Sequence, residues 1–302
     1  MSKNSLRKWK NTVAILVIFL ALLVLGSLNF FNFCMPLKTG TSNRSSTDSI
    51  NDNKNSKFER LRMRITNDTP PKVEKMSTPK SIPVLMYHCV NDKTLFKNDI
   101  ERSLTIETRA FVEQLDWLKE NGYHIVSLDD AYDAMTIGKK LPEKPVVLTF
   151  DDGNPDSYFN VYPILSRRNI SGTFFIKVKE VENGQGLDWL KVTEMAHAGM
   201  LIESHTMTHA NLTIKTSDEM TYELQKSRSL IWERTGHVAR FLAYPFGRYD
   251  SRTIEGVKQA GYQAAFTTQP GFWKPRDNLF ALKRVRVSHG ETIQAFASSL
   301  AK

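Results

Sequence analysis

Pro145-Val146-Val147-Leu148-Thr149-Phe150-Asp151-Asp152-Gly153 is the stretch that decides how this 302-residue chain folds. Its first six residues form a short, nearly uninterrupted apolar run, the pattern of a strand covered on both faces. Asp151-Asp152-Gly153 then stops the strand, and Pro155 suits the first turn of a helix running toward Arg168. The same unit recurs outward in both directions. Further strands are expected at 82–87, 124–127, 172–177, 200–203, 241–244, 263–267 and 282–287. Between them lie helical patterns. Phe111, Leu115 and Leu118 fall at i, i+4 and i+7; 216–235 reads as a helix closing before Gly236, and 251–260 as another. Strand–helix alternation predicts a mostly parallel sheet, and about eight strands predict a closed barrel. The expected architecture is α/β, a distorted (β/α)7–8 barrel over residues 81–302. An open doubly wound sheet is the alternative, but no glycine-rich turn follows the first strand.

The N-terminal quarter is different in kind. Residues 1–80 carry the whole net charge of +9, and 81–302 are balanced between acids and bases. The basic pI therefore describes an appendage, and a nucleic-acid groove in the folded part loses its support. Lys3, Arg7, Lys8 and Lys10 precede an uncharged, mostly apolar stretch over 13–33, long enough to cross a bilayer as a helix. We read 1–12 as a cytoplasmic N-terminus and 13–33 as an uncleaved transmembrane anchor, with the rest outside the cell membrane by the positive-inside rule. A cleaved signal peptide, giving a secreted protein, is the rival reading. Residues 34–80 are rich in Ser, Thr, Asn and Lys and read as a flexible linker. Two cysteines, Cys34 and Cys89, provide no disulfide framework.

Barrel enzymes carry their chemistry just past the C-terminal ends of strands. Four expected strands end in reactive or unusual groups: Tyr87 runs into His88, Phe150 into Asp151-Asp152, Ser204 into His205-Thr206-Met207-Thr208-His209, and Tyr244 into Pro245-Phe246-Gly247. Taken singly, each has a plain explanation. Asp-Asp-Gly is an ordinary turn, and two histidines four apart are more often incidental than ligating. Together on one rim they make a site. One carboxylate and two imidazoles suit a borderline divalent metal such as Zn²⁺ with open positions, a second carboxylate suits a base, and a histidine across the mouth suits an acid.

Thr149-Phe150-Asp151-Asp152-Gly153, His205 to His209, and Arg240-Phe241-Leu242-Ala243-Tyr244-Pro245-Phe246-Gly247 resemble the first three motifs of the polysaccharide deacetylases, the NodB-homology domains of carbohydrate esterase family 4. Met86-Tyr87-His88 ahead of the Asp-Asp motif is similar to the branch of poly-β-1,6-N-acetylglucosamine N-deacetylases of biofilm systems. The resemblance covers roughly 81–290. It implies removal of N-acetyl groups from a cell-envelope or extracellular polysaccharide, by a monomer holding Zn²⁺, with Co²⁺ or Ni²⁺ able to substitute. It implies Asp152, His205 and His209 as metal ligands, Asp151 as general base and His88 as general acid. It further implies the Tyr244 backbone N–H as oxyanion donor, Arg240 as the residue orienting Asp151, and Trp189 as a wall of the acetate pocket. Tyr244, Pro245 and Phe246 would line the substrate site.

Two departures are visible. The branch has Asp after the groove tryptophan, whereas Leu190 follows Trp189 and Asp188 precedes it. Other members take their acid from a C-terminal motif, near which His289 lies; His88 is preferred because it directly ends a strand. Tyr158, Phe246, Phe272 and Trp273 are candidates for a sugar groove, set against ordinary packing. Three other functions use parts of the same pattern: an O-acetyl esterase on this fold, a non-haem Fe(II) oxygenase, and a non-catalytic glycan-binding module.

Overall fold

The computed structural model describes residues 75–301. The expected anchor at 13–33, its basic flank, Cys34 and the linker up to residue 74 lie outside the described residues. Among the described residues no helix is long and apolar enough to cross a membrane.

Seven strands make a closed parallel ring: β1 (Val84–Tyr87), β2 (Pro145–Asp152), β3 (Thr173–Ile176), β4 (Leu201–Ser204), β5 (Phe241–Ala243), β6 (Ala264–Pro270) and β7 (Leu282–Arg286). Each pairs with the next in sequence from β2 to β7, and β1 closes the ring between β7 and β2. The eighth expected strand shrinks to His124–Ile125. It pairs only with Pro145 and Val146 at the start of β2 and stays outside the ring. The barrel thus closes on seven strands. The folded unit also reaches back past Ser81, because Met76–Ser77 pairs antiparallel with Leu141–Pro142.

The helices around the ring follow from local signals. Helix α1 (Thr108–Glu120) buries Phe111, Gln114, Leu115 and Leu118 along one stripe. Helix α2 (Leu128–Ile137) starts on the Ser127 side-chain cap and ends at left-handed Gly138. Helix α3 (Trp189–His197) is capped by Asp188, whose carboxylate accepts from the Lys191 N–H. The helix expected at 216–235 begins with a reciprocal Thr216–Glu219 capping box. It widens through a π-turn at Tyr222–Lys226, then continues as α4 (Ser227–Thr235) to its left-handed cap at Gly236.

Strand alternation sorts the core into two sets. Val84, Val147, Phe175, Phe241, Ala243, Ala264, Phe266 and Leu282 pack together with Trp273 and with Leu128, Ala131 and Ala134 of α2. This set fills the barrel and closes its N-terminal end. The intervening Leu85, Leu148, Phe150, Phe174, Ile176, Ile202, Leu242 and Ala265 join the surrounding helices. Two groove candidates fall here: Trp273 is 1% exposed and bonded through its backbone to Ile82, and Phe272 is also buried. Pro270-Gly271 makes a turn, but it carries the following aromatics inward as core.

Candidate active site

The mouth of the barrel collects the strand endings. β2 delivers two adjacent carboxylates to different places because Asp152 leaves the strand with φ of 80°. Asp151 points into the barrel and is 1% exposed; Asp152 turns toward the loop after β4. There His205 and His209 converge on it. His205 Nε2 lies 3.7 Å and His209 Nε2 3.5 Å from Asp152 Oδ1. One ligand atom from each of the three residues lies within 4.8 Å of the others. Ligands about 2.1 Å from a tetrahedral ion stand about 3.4 Å apart, so this spacing fits a divalent metal.

The rest of the geometry supports the same fit. Asp152 Oδ1 is buried with no hydrogen-bond partner, a costly state for a carboxylate oxygen unless a cation is bound there. His205 Nδ1 is hydrogen-bonded to the Ala243 carbonyl at 2.7 Å, which leaves Nε2 as the free lone pair facing Asp152. Burial pushes His209 down to about 4, helped by His205 and Lys177 and opposed by Asp152 and Asp151, so its imidazole is neutral at pH 7. Both turning points of the loop, Thr206 and His209, hold left-handed φ values of 66° and 61°. Backbone of this kind costs energy for non-glycine residues and persists only where surrounding contacts enforce it. Those contacts come from the π-turn. Glu223 accepts from the Thr208 N–H at 2.8 Å and from its hydroxyl at 2.5 Å, and the Glu223 carbonyl accepts from the Met207 N–H. Lys179 N–H bonds the Met207 carbonyl from the other side.

Asp151 is held by Arg284, not by Arg240. Arg284 is fully buried in β7 and donates to both carboxylate oxygens, at 2.7 and 2.6 Å. It also donates to the Thr149 hydroxyl and the Thr267 carbonyl. Burial alone would push the Asp151 carboxyl up. The adjoining guanidinium overrides this and holds it well below the usual carboxylate range. Arg240 immediately precedes β5, at the opposite end of the barrel from the mouth, and pairs there with Asp129 and with the Gln263 side chain. Tyr244 lies four residue steps along the strand from it, about 13 Å. The misassignment has a simple cause: Arg240 belongs to the motif in sequence, but strand direction takes it away from the site.

The oxyanion donor also shifts. The Tyr244 N–H donates to the Phe266 carbonyl at 3.0 Å, and its hydroxyl donates to the Phe280 carbonyl at 3.1 Å. Tyr244 is fully buried and stacked on Tyr249, so neither end faces substrate. Pro245 is buried and has no N–H to give. The next backbone donor, Phe246, has no acceptor among the described residues. Its φ is 60°, and its ring, 58% exposed, meets His209 edge-on with centroids 4.6 Å apart. Gly247 is what allows that turn. A Cβ there would sit 2.1 Å from Thr268 Oγ1.

His88 follows β1 as expected. Its Nε2 is 4.0 Å from Asp151 Oδ2, and its Nδ1 is buried without a partner. Burial lowers its pKa, and the two aspartates pull it back up. His289 is elsewhere, with Nδ1 bonded to the Thr105 carbonyl and its ring edge-on to Phe96. Cys89, next to His88, has its thiol pushed up to about 12 by burial. Trp189 bonds Glu182 and lies near Arg234, while Asp188 serves as the helix cap; among the described residues no hydrogen bond, ion pair or ring contact ties either to Asp152 or the histidines. Tyr158 bonds Glu194 on α3 and packs against Tyr162.

Two site residues are absent from the sequence reading. Arg284 had a signal, a charge at a strand position that alternation from Leu282 turns inward. Lys177, just past β3, sits 3.8 Å from Asp152 Oδ1 and had none.

The polysaccharide deacetylase family model matches residues 138–265. The Bacillus subtilis (strain 168) protein YxkH, whose name places it in that family, is 33% identical over 224 residues, 74% of this chain and 77% of YxkH. The poly-β-1,6-N-acetyl-D-glucosamine N-deacetylase of Staphylococcus aureus (strain MRSA252) is 26% identical over 243 residues, 73% of this chain and 83% of its own. Among solved structures, the Streptococcus pyogenes deacetylase PplD in complex with acetate superposes with a TM-score of 0.69. The two share 27% identity over 74% of this chain and 100% of PplD. The chain belongs to the polysaccharide deacetylase family.

Proposed function

We propose that the protein is a metal-dependent N-deacetylase of a GlcNAc-containing envelope or extracellular polysaccharide, acting outside a membrane to which residues 13–33 tether it. The observation that carries this reading is the pairing of two differently equipped carboxylates. Asp152 Oδ1 stands unpartnered between two imidazole nitrogens, and Asp151 is locked ionised by Arg284. A binding module needs neither.

A divalent cation held by Asp152, His205 and His209 supplies positive charge that favours loss of a proton from water and polarises a carbonyl. The chain's own residues do the rest. Asp151, with two lone pairs left after the Arg284 bonds, takes the proton from the water that attacks the acetamide carbonyl. Arg284 keeps that carboxylate ionised and in one orientation. The Phe246 N–H donates to the carbonyl oxygen as its negative charge grows, a contribution of roughly 3–4 kcal/mol for one such donor. Burial destabilises the imidazolium of His88, so a protonated His88 readily gives its proton to the departing amine nitrogen. Acetate and a polymer amine are the products.

The S. aureus relative's name supports poly-β-1,6-N-acetylglucosamine as the polymer to try first. The test is a panel run with the full chain in mild detergent and added Zn²⁺, Co²⁺ or Ni²⁺. It includes poly-N-acetylglucosamine, peptidoglycan, chitooligosaccharides and acetylated xylan, scored for free amines and for acetate. Amine release that stops with a chelator is the expected result. Acetate from xylan alone would replace the amidase with an esterase, and inertness of every substrate with metal bound would favour a binding module.

A further inference from the structure

The Lys177 side chain is 14% exposed, and its ammonium lies 3.8 Å from Asp152 Oδ1. That oxygen is the one the two histidine nitrogens face at 3.5 and 3.7 Å. Three nitrogens thus surround a single buried oxygen, each just beyond hydrogen-bond reach. A second carboxylate is within reach of the ammonium. Glu180, one helical turn on, contacts Lys177 Nζ at 3.0 Å. The cation therefore has two partners, one belonging to the candidate metal centre and one outside it.

We propose that Lys177 sets the metal affinity of the site. It is a fixed positive charge that competes with the divalent ion for Asp152 Oδ1, and Glu180 is the carboxylate onto which it withdraws when the ion binds. This rests on the reading of Asp152, His205 and His209 as a metal centre. The physics is like-charge repulsion at short range in a partly buried site, where a unit charge is poorly screened. Because Glu180 keeps a share of the ammonium, the two residues act on affinity with opposite signs. Removing the lysine charge frees Asp152 for the ion; removing Glu180 concentrates the ammonium on Asp152. The consequence is a centre that holds its ion less tightly than its three ligands alone would allow, so occupancy follows the metal supply outside the cell.

The experiment measures Zn²⁺ affinity of the full chain by competition with a chromophoric chelator, independently of turnover. Lys177→Met is expected to bind zinc about tenfold more tightly or better, and Lys177→Arg, which keeps the charge, to match the parent protein. Glu180→Gln is expected to weaken binding several-fold, and to do much less in the Lys177→Met background. Equal or weaker binding by Lys177→Met, or equal tightening by Lys177→Arg, overturns the proposal while leaving the metal centre intact. A parent protein that takes up no zinc overturns both. Should Lys177→Met fail to fold, Glu180→Gln decides, and an unchanged affinity there overturns the proposal.

Discussion

Replacing Arg284 with Met is the sharpest perturbation of this barrel. The guanidinium is fully buried and makes two charge-assisted bonds to Asp151, with further bonds to Thr149 and Thr267. Methionine fills much of the volume but leaves a buried carboxylate without a counter-charge. Breaking a buried pair in this way costs about 3–5 kcal/mol, far above the roughly 0–1 kcal/mol of a surface ion pair. The pH dependence has a definite sign. In the parent protein the Asp151 pKa is depressed, so the pair contributes stability above about 3.9, the unfolded value, and that stability is lost as pH falls through the lower folded value. In Arg284→Met, burial is opposed only by His205 and His88 and is expected to raise the carboxyl above its unfolded value. The deficit then grows as pH rises past about 4 and is largest at neutral pH. Urea unfolding monitored at pH 4.5 and pH 7.5 reads both effects. Asp151→Asn in the same background removes the stranded charge and is expected to restore at least about 2 kcal/mol at pH 7.5, with no turnover. His88 and His205 also face Asp151 and, after Arg284, help to hold its carboxyl down. A deficit under about 0.5 kcal/mol at pH 7.5, or no relief from Asp151→Asn, would refute the view that Arg284 exists to hold a buried anion.

Three other outcomes follow from the same geometry. Asp151→Asn should abolish turnover while retaining about one bound zinc per chain, whereas Asp152→Asn or His209→Gln should lose the metal; zinc content by mass spectrometry separates these roles. Arg240→Ala should lower stability by about 1 kcal/mol or less and leave turnover and its pH profile unchanged, because its partner Asp129 is partly exposed at the far pole. Gly247→Ala forces a Cβ to within 2.7 Å of the Thr268 backbone nitrogen. Turnover is then expected to fall at least tenfold with zinc content unchanged, since the Phe246 donor moves and the three ligands do not.

What the sequence made legible depended on how far each inference had to travel. Most ring strands are short apolar runs covered on both faces, and all seven were readable to within a few residues; β7, with Lys283 and Arg286 exposed, is not such a run. The ligands were readable because Asp152, His205 and His209 each lie at or soon after a strand end, and parallel strands bring such ends to one rim. Difficulty began where direction within a strand mattered. Arg240 and Tyr244 are four residues apart in one motif, yet one lies at the bottom of the barrel and the other near its mouth. Arg284, over a hundred residues from Asp151, is its actual partner. Period-two alternation from Leu282 would have placed it inside the barrel, where only a carboxylate could satisfy it. Backbone commitments were beyond reach, because whether the Tyr244 or Phe246 N–H is free depends on the ladder with Phe266. The π-turn carrying Glu223 left no trace in a sequence that reads as continuous helix.

The loop joining the two histidines carries a conformational cost. Thr206 is a β-branched residue held at a left-handed φ, and its buried hydroxyl has no partner. Judged by folding alone, almost any small residue would serve better there, and glycine best of all. A laboratory evolution campaign that rewards thermostability while ignoring turnover should therefore accumulate changes between residues 205 and 209 early. It would trade away the centre to recover the conformational energy held in that loop.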